Sequence, residues 1–267
     1  MSKEFDVLII DDEQVILDSV QKICASENIT VDTAPDAAAA FGRLSKNSYR
    51  LLLCDIMLPD ISGFQIQEQL AARQIKTPLV MTSGYSTVEN AVKSLYNGAI
   101  DFLPKPFTME ELLSVVNRGL RYGEIYRVFA RRPGAADESL PFVPCPAKYY
   151  RLSYSGWVNF EHDGSAKIGA ADLFLKTINA ITHLKLLNAD EEIIQAHACA
   201  YFGSGDEMTH QFIAPLSGRI IEVNETLPGN LSLVEKDPYF RGWLYTVVPS
   251  NLDYERKFLS SCSSDRV

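Results

Sequence analysis

The chain has 267 residues, 46% hydrophobic and 22% charged, with a formal net charge of −9 at pH 7. That length leaves room for one or two buried cores, and the acidic balance excludes a surface dominated by phosphate contacts, which needs clustered Lys and Arg. No apolar run reaches the roughly 20 residues that span a bilayer, and Met1-Ser2-Lys3-Glu4 opens no secretory signal. Five cysteines (Cys24, Cys54, Cys145, Cys199, Cys262) without CxxC spacing read as thiols of a reduced, cytoplasmic protein.

Phe5 to Ile10 reads as a buried strand running into Asp11-Asp12-Glu13, after which Val15, Ile16, Val20 and Ile23 recur at helical spacing. Val31 opens a second strand and Ala37–Leu44 a second helix. Leu51-Leu52-Leu53-Cys54 is an apolar run without alternation, the pattern of a strand buried on both faces of a parallel sheet, and it ends on Asp55. A helix follows Gly63, and Pro78 to Thr82 is a fourth strand leading to Ser83-Gly84-Tyr85. Val88 to Leu95 is helical, with Gly98 placed to end it. Ile100 to Leu103 is a fifth strand closing at Pro104-Lys105-Pro106. Thr108 caps a last helix with Glu110 and Glu111 in its first turn. Five βα units in succession specify an α/β doubly wound parallel sheet.

The strand ends carry the chemistry. Asp11 and Asp12 end the first strand, Asp55 the third, Ser83 the fourth and Lys105 the fifth, so three carboxylates, a hydroxyl and an ammonium share one edge of the sheet. Clustered carboxylates resist joint ionisation, so a cation is expected among them, and Mg²⁺ suits one or two carboxylates completed by other oxygens. A metal-bound carboxylate facing a lysine is equipped to attack a phosphoryl group and form an acyl phosphate.

Asp11-Asp12, Asp55 with Met57-Leu58-Pro59 and Gly63, Ser83-Gly84, and Phe102-Leu103-Pro104-Lys105-Pro106-Phe107 together resemble the receiver domain of two-component response regulators. The resemblance spans residues 5 to about 120 and implies a flavodoxin-like fold. It implies Asp55 as phosphoacceptor, Asp12, Asp55 and the Met57 carbonyl as Mg²⁺ ligands, and Asp11 assisting through water. It also implies Ser83 and Lys105 on the phosphoryl oxygens, and Phe102 as an aromatic that turns inward when Ser83 moves. The phosphoryl source would be a sensor histidine kinase or phosphotransfer protein.

The last receiver helix is expected to run to about Phe129. Arg131-Arg132-Pro133-Gly134, with Pro141, Pro144 and Pro146 beyond, reads as a linker, and Cys145 is given no chemistry. The divisions expected are a receiver over 1–122, a helix extension and linker over 123–146, a second domain over 147–255 and a tail over 256–267. In the second domain, Leu152 to Phe160 is β-like, His162-Asp163-Gly164-Ser165 is a turn and Ala171 to Ile181 is helical. Ile193 to Ala200 is a strand region, and two strands flank Pro215-Leu216-Ser217-Gly218. Short strands with one helix suggest an α+β sandwich or flattened barrel.

Trp157-Val158-Asn159-Phe160, Asp163 to Gly169, Ala214 to Gly218, Glu222-Val223-Asn224 and Asp237-Pro238-Tyr239 with Gly242-Trp243-Leu244 resemble the glycine cleavage system H protein and its lipoyl-domain fold. In that family a hairpin lysine carries the lipoyl group. Counted back from Gly218, its position falls on Glu207, and no lysine lies between Lys185 and Lys236. A carboxylate cannot form the lipoyl amide, so no lipoate is expected. His197 and Cys199, with His210 further on, lack the full ligand set of a zinc site.

The expected protein is a response regulator whose second domain is a degenerate H-like module that binds a protein partner rather than DNA or membrane. It is not expected to be an enzyme beyond its own phosphotransfer and dephosphorylation. The alternative is a redox- or carrier-linked component that keeps a cofactor. Homodimerisation through the receiver stays open.

Overall fold

A computed structural model of the chain describes residues 3–130 and 141–266, which divide into two compact units at residues 131/132. The expected linker core at 131–140, with Arg131-Arg132 and Pro133-Gly134, lies outside the described residues.

The first unit alternates β1 (Glu4–Ile10), α1 (Gln14–Ser26), β2 (Val31–Ala34), α2 (Ala37–Leu44), β3 (Ser48–Asp55), α3 (Gly63–Ala72), β4 (Leu79–Ser83), α4 (Val88–Tyr96), β5 (Asp101–Pro104) and α5 (Met109–Ala130). The strands form one parallel sheet in the order β2-β1-β3-β4-β5. In this order the direction of winding reverses between β1 and β3, where doubly wound sheets open their crevice. Val7, Leu8, Ile10 and Leu51 to Cys54 are wholly buried, as strands covered by helices on both faces must be.

The helices start where their caps allow. Asp36 accepts the Ala39 amide at 2.7 Å, and Ser62 and Gln65 form a reciprocal capping box on α3. Thr108 and Glu111 do the same for α5. Gly98, at φ +102°, ends α4 in the left-handed conformation that glycine adopts without a Cβ penalty. β3 begins three residues earlier than the apolar run indicates, because Tyr49 pairs with Phe5 of β1 and stacks on its ring at 5.7 Å.

The second unit contains β6 (Tyr150–Leu152), β7 (Gly156–Phe160), β8 (Ala166–Ala170), α6 (Asp172–Thr177), β9 (Ile181–Leu186), β10 (Glu192–Ile193), β11 (Ala198–Ser204), β12 (Thr209–Ile213), β13 (Gly218–Val223), α7 (Ser232–Lys236), β14 (Tyr245–Pro249), α8 (Leu252–Glu255) and β15 (Ser260–Ser261). One antiparallel sheet runs β10-β13-β14-β8-β7-β6-β15, and a smaller one runs β12-β11-β9. Phe174 of α6 meets Phe202 and Phe212 of the small sheet edge-on, each at 5.9 Å between ring centres. The Tyr245 hydroxyl of the large sheet donates to the Cys199 carbonyl at 2.7 Å and accepts from the Leu187 amide at 2.8 Å. These contacts hold the two sheets together.

Three local expectations need correction. The helix predicted to Ile181 stops at Thr177, since Gly205 donates to the carbonyls of Asn179 and Ala180 and draws the chain into β9. The single strand region over 193–200 is two strands in different sheets, separated by Ala196 at φ +62°. Residues 256–266, expected as a tail, include β15, which pairs with β6 and leads to the fully buried Cys262.

The segment just before residue 147 is also tied to the second domain. The Val143 amide donates to Asp172 at 2.6 Å and its carbonyl accepts from the Tyr239 hydroxyl at 2.8 Å, so this proline-flanked segment is fastened to the domain. Burial raises the Asp172 carboxyl above its ordinary range, against the lowering effect of that amide.

Candidate functional site

Strand register decides which side chains meet. Ile10 lies opposite Cys54, which puts Asp11 beside Asp55, and Ser83 lies opposite Pro104, which puts Lys105 next to them. The Lys105 amide donates to the Ser83 carbonyl at 2.8 Å, and the Lys105-Pro106 bond that follows is cis. From there the Lys105 ammonium reaches Asp11 and Asp55, each at 2.7 Å, and Glu13 at 3.2 Å. Asp11 is fully buried, Asp55 is 4% exposed and Asp12 is exposed.

The electrostatics follow from that burial. Desolvation lifts the Asp11 carboxyl above its ordinary value, although its hydrogen bond with Lys105 pulls the other way. Burial opposes the charge on Lys105, but the hydrogen bonds to Asp11 and Asp55 prevail and raise its ammonium above the usual lysine value. The lysine is therefore held protonated against a pair of acids.

Ligand atoms of Asp11, Asp12 and Asp55 all lie within 4.8 Å of one another, and this is the one such three-acid group among the described residues. An all-oxygen donor set of net negative charge fits a hard divalent cation. The Asp55 carboxylate also accepts the Met57 amide at 3.2 Å, which turns the following loop over the site. Gly63 closes that loop: its amide donates to the Ile56 carbonyl, and a Cβ there would stand 2.2 Å from the Asp55 carbonyl oxygen. Any side chain at residue 63 would displace the backbone that carries Asp55.

Ser83 is buried and its hydroxyl accepts the Tyr85 amide at 3.1 Å. Met57 and Tyr85 are 55% and 70% exposed. Phe102 is half-buried against the core, and its amide donates to its neighbour Asp101. Asp101 in turn forms a buried ion pair with Arg118 of α5, whose other nitrogen donates to Ser114 at 2.6 Å. Six of the seven residues singled out from sequence thus end or follow the strands at this sheet edge, while Phe102 lies within β5, opposite Met81.

Two participants were missed. Glu13 is visible in the sequence directly after Asp11-Asp12 and supplies a third carboxylate to Lys105. The Asp101–Arg118 pair left no local signal, since its members are 17 residues apart on different elements.

In the second unit, Glu207 sits exposed at the tip of the β11–β12 hairpin with φ +63°. Ser204 organises the hairpin, bonding Asp206, the Met208 carbonyl at 3.0 Å and His210 at 3.2 Å. His197 is exposed and precedes β11, whereas Cys199 is buried within it, so they do not share a strand face.

Comparison with known proteins agrees with both halves. The family model described as the response regulator receiver domain matches residues 7–117, and that of the glycine cleavage H-protein matches residues 148–265. The response regulator protein TodT of Pseudomonas putida is 28% identical over 133 residues, covering 50% of this chain and 59% of TodT. The cell cycle response regulator CtrA of Brucella ovis is 31% identical over 115 residues, covering 43% of this chain and 50% of CtrA. The chain therefore spans about half the length of such curated relatives.

Among solved structures, a CheY-like receiver domain protein from Methanospirillum hungatei is 31% identical, with TM-score 0.42, covering 46% of this chain and 98% of its own. A glycine cleavage system H protein from Mycobacterium marinum is 24% identical, with TM-score 0.37, covering 39% and 86%. No helix among the described residues is long and apolar enough to cross a membrane. The sheet edge and the two family matches make this chain a response regulator receiver domain fused to a glycine cleavage H-protein domain.

Proposed function

We propose that the chain is a two-component response regulator phosphorylated on Asp55, acting in the cytoplasm on the signal of a sensor histidine kinase or phosphotransfer protein. The observation that carries this reading is Lys105, whose ammonium lies 2.7 Å from both Asp11 and Asp55. An Asp55 oxygen attacks the phosphorus of a phosphohistidine, the P–N bond breaks, and the imidazole leaves with a proton. Lys105 and the Ser83 hydroxyl receive the charge of the phosphoryl oxygens. Asp11, Asp12, Asp55 and the Met57 carbonyl would hold Mg²⁺, which neutralises phosphoryl charge when bound.

Incubation with a small phosphodonor and Mg²⁺ is expected to add the mass of one phosphoryl group, and chelation to abolish the addition. Asp12→Ala should weaken labelling in a way that excess Mg²⁺ partly restores. Labelling that is indifferent to chelator would remove the metal from this account.

The acyl phosphate is expected to be long-lived. Met57 and Tyr85 flank the site mouth, and neither offers a carboxylate or amide to orient an attacking water. One hydrogen bond to that water, about 1 kcal/mol, corresponds to about fivefold in rate. Met57→Asn should therefore speed dephosphorylation of the isolated protein by roughly that factor. Equal or slower decay would refute the argument.

The H-like domain is proposed as an unlipoylated protein-binding output module. Its turn residues Pro215 and Gly218 and its buried Tyr239 and Trp157 keep the scaffold, while Glu207 occupies the arm position. Phosphorylation would bias its availability through the face around Phe102. Protein made in a lipoylation-competent host is expected to carry no lipoyl adduct by intact mass. An adduct on any lysine within 147–252 would favour the carrier alternative instead.

A further inference from the structure

Two cysteines that the phosphoryl chemistry does not use stand face to face at the margins of the second domain. Cys145 lies in the segment that enters the domain, and Cys262 follows its last strand. Their sulfurs are 2.7 Å apart, with Cys145 5% exposed and Cys262 fully buried. Each is held in place from its own side. The Cys262 amide donates to the Tyr149 carbonyl at 2.9 Å, continuing the β15–β6 pairing of Ser261 with Tyr150. The Cys145 segment is fastened at Val143 by Asp172 and Tyr239. Tyr149, Trp157, Ala171 and Tyr239 enclose both sulfurs in one apolar cluster.

We propose that Cys145 and Cys262 are a redox site that closes to an intradomain disulfide, with a low-molecular-weight disulfide such as oxidised glutathione as the oxidant. One cysteine thiolate attacks a glutathione sulfur, breaking the S–S bond and expelling the first glutathione thiolate. The second cysteine, once deprotonated, attacks the protein sulfur of the mixed disulfide and expels the other. The protein loses two protons and two electrons, and glutathione disulfide becomes two thiols. Because the sulfurs already touch, forming a bond of about 2.05 Å moves them less than about 1 Å.

The buried pair meets its oxidant when the edge of the sheet opens. β15 contributes only Ser260 and Ser261 to that edge, so little pairing with β6 has to be released to open it. Closure spans 117 positions of sequence and ties the entry of the domain to its final strand. The ring therefore contains every other element of the H-like domain, and it removes freedom chiefly from the unfolded chain. The proposal is independent of Asp55 phosphorylation.

The test uses the full chain, reduced, desalted, exposed to glutathione disulfide, then denatured and alkylated. All five thiols should be alkylated before oxidation and three afterwards, and before alkylation the oxidised protein should be about 2 Da lighter in intact mass for the two hydrogens lost. Digestion should yield one linked pair, Cys145 with Cys262. The unfolding midpoint of the second domain should rise by about 5 °C or more on oxidation, and Cys262→Ser should lose both the link and the rise. Five alkylated thiols after oxidation, a different pair, or a lasting mixed disulfide with glutathione would overturn the proposal. Thiol counting on the unaltered protein decides this even if the serine variant does not fold.

Discussion

Lys105→Ala should destabilise the receiver by about 3–5 kcal/mol in the absence of divalent cations, the range for removing one partner of a buried ion pair. The lysine side chain is 7% exposed and is shared by Asp11 and Asp55, whose side chains are 1% and 5% exposed. Its loss leaves two carboxylates facing each other in a low-dielectric setting, with only the backbone amides of Glu13 and Met57 to offset their charge. Mg²⁺ should then stabilise the variant more than the unaltered protein, because a ligand bound only by the folded state adds its binding free energy to stability. Denaturant titration with and without Mg²⁺ measures both effects. An unchanged midpoint would mean that the ammonium is not balancing the two acids. Phosphoryl labelling should also fall sharply, since the cation facing the phosphoryl oxygens is gone.

The first unit was legible almost entirely. Leu51 to Cys54 is uninterrupted by polar residues because both faces of β3 are covered, so its pattern states its burial directly. Asp11, Asp55, Ser83 and Lys105 needed no contact information, since a parallel sheet gathers the residues that follow its strands on one edge. Pairwise partners were less visible. Asp101 with Arg118, and Glu13 with Lys105, depend on how α5 and the loop after β1 pack, and periodicity does not report packing.

The second unit was harder because its signals are short. β10 and β15 have two residues each, too few for alternation to register. Ala196 and Ala180 adopt positive φ, which alanine does not advertise, and these are the points where the sequence reading ran a strand and a helix too far. Cys145 drew no assignment because its partner lies 117 residues away in a serine-rich stretch. Glu207 was placed at its hairpin by family resemblance rather than by any local pattern.

Asp55→Asn bears on the central claim, that this sheet edge is a phosphoryl acceptor and Asp55 its nucleophile. The substitution keeps size and hydrogen-bonding shape while replacing the carboxylate by an amide, which is no nucleophile toward phosphorus. Asp11 and Asp12 remain as neighbouring carboxylates, so the variant also asks whether either can substitute. The measurement is intact mass and peptide mapping after exposure to a small phosphodonor with Mg²⁺. The unaltered chain should gain one phosphoryl group mapping to Asp55, and the Asp55→Asn protein none; labelling of that variant at the same rate would contradict the assignment.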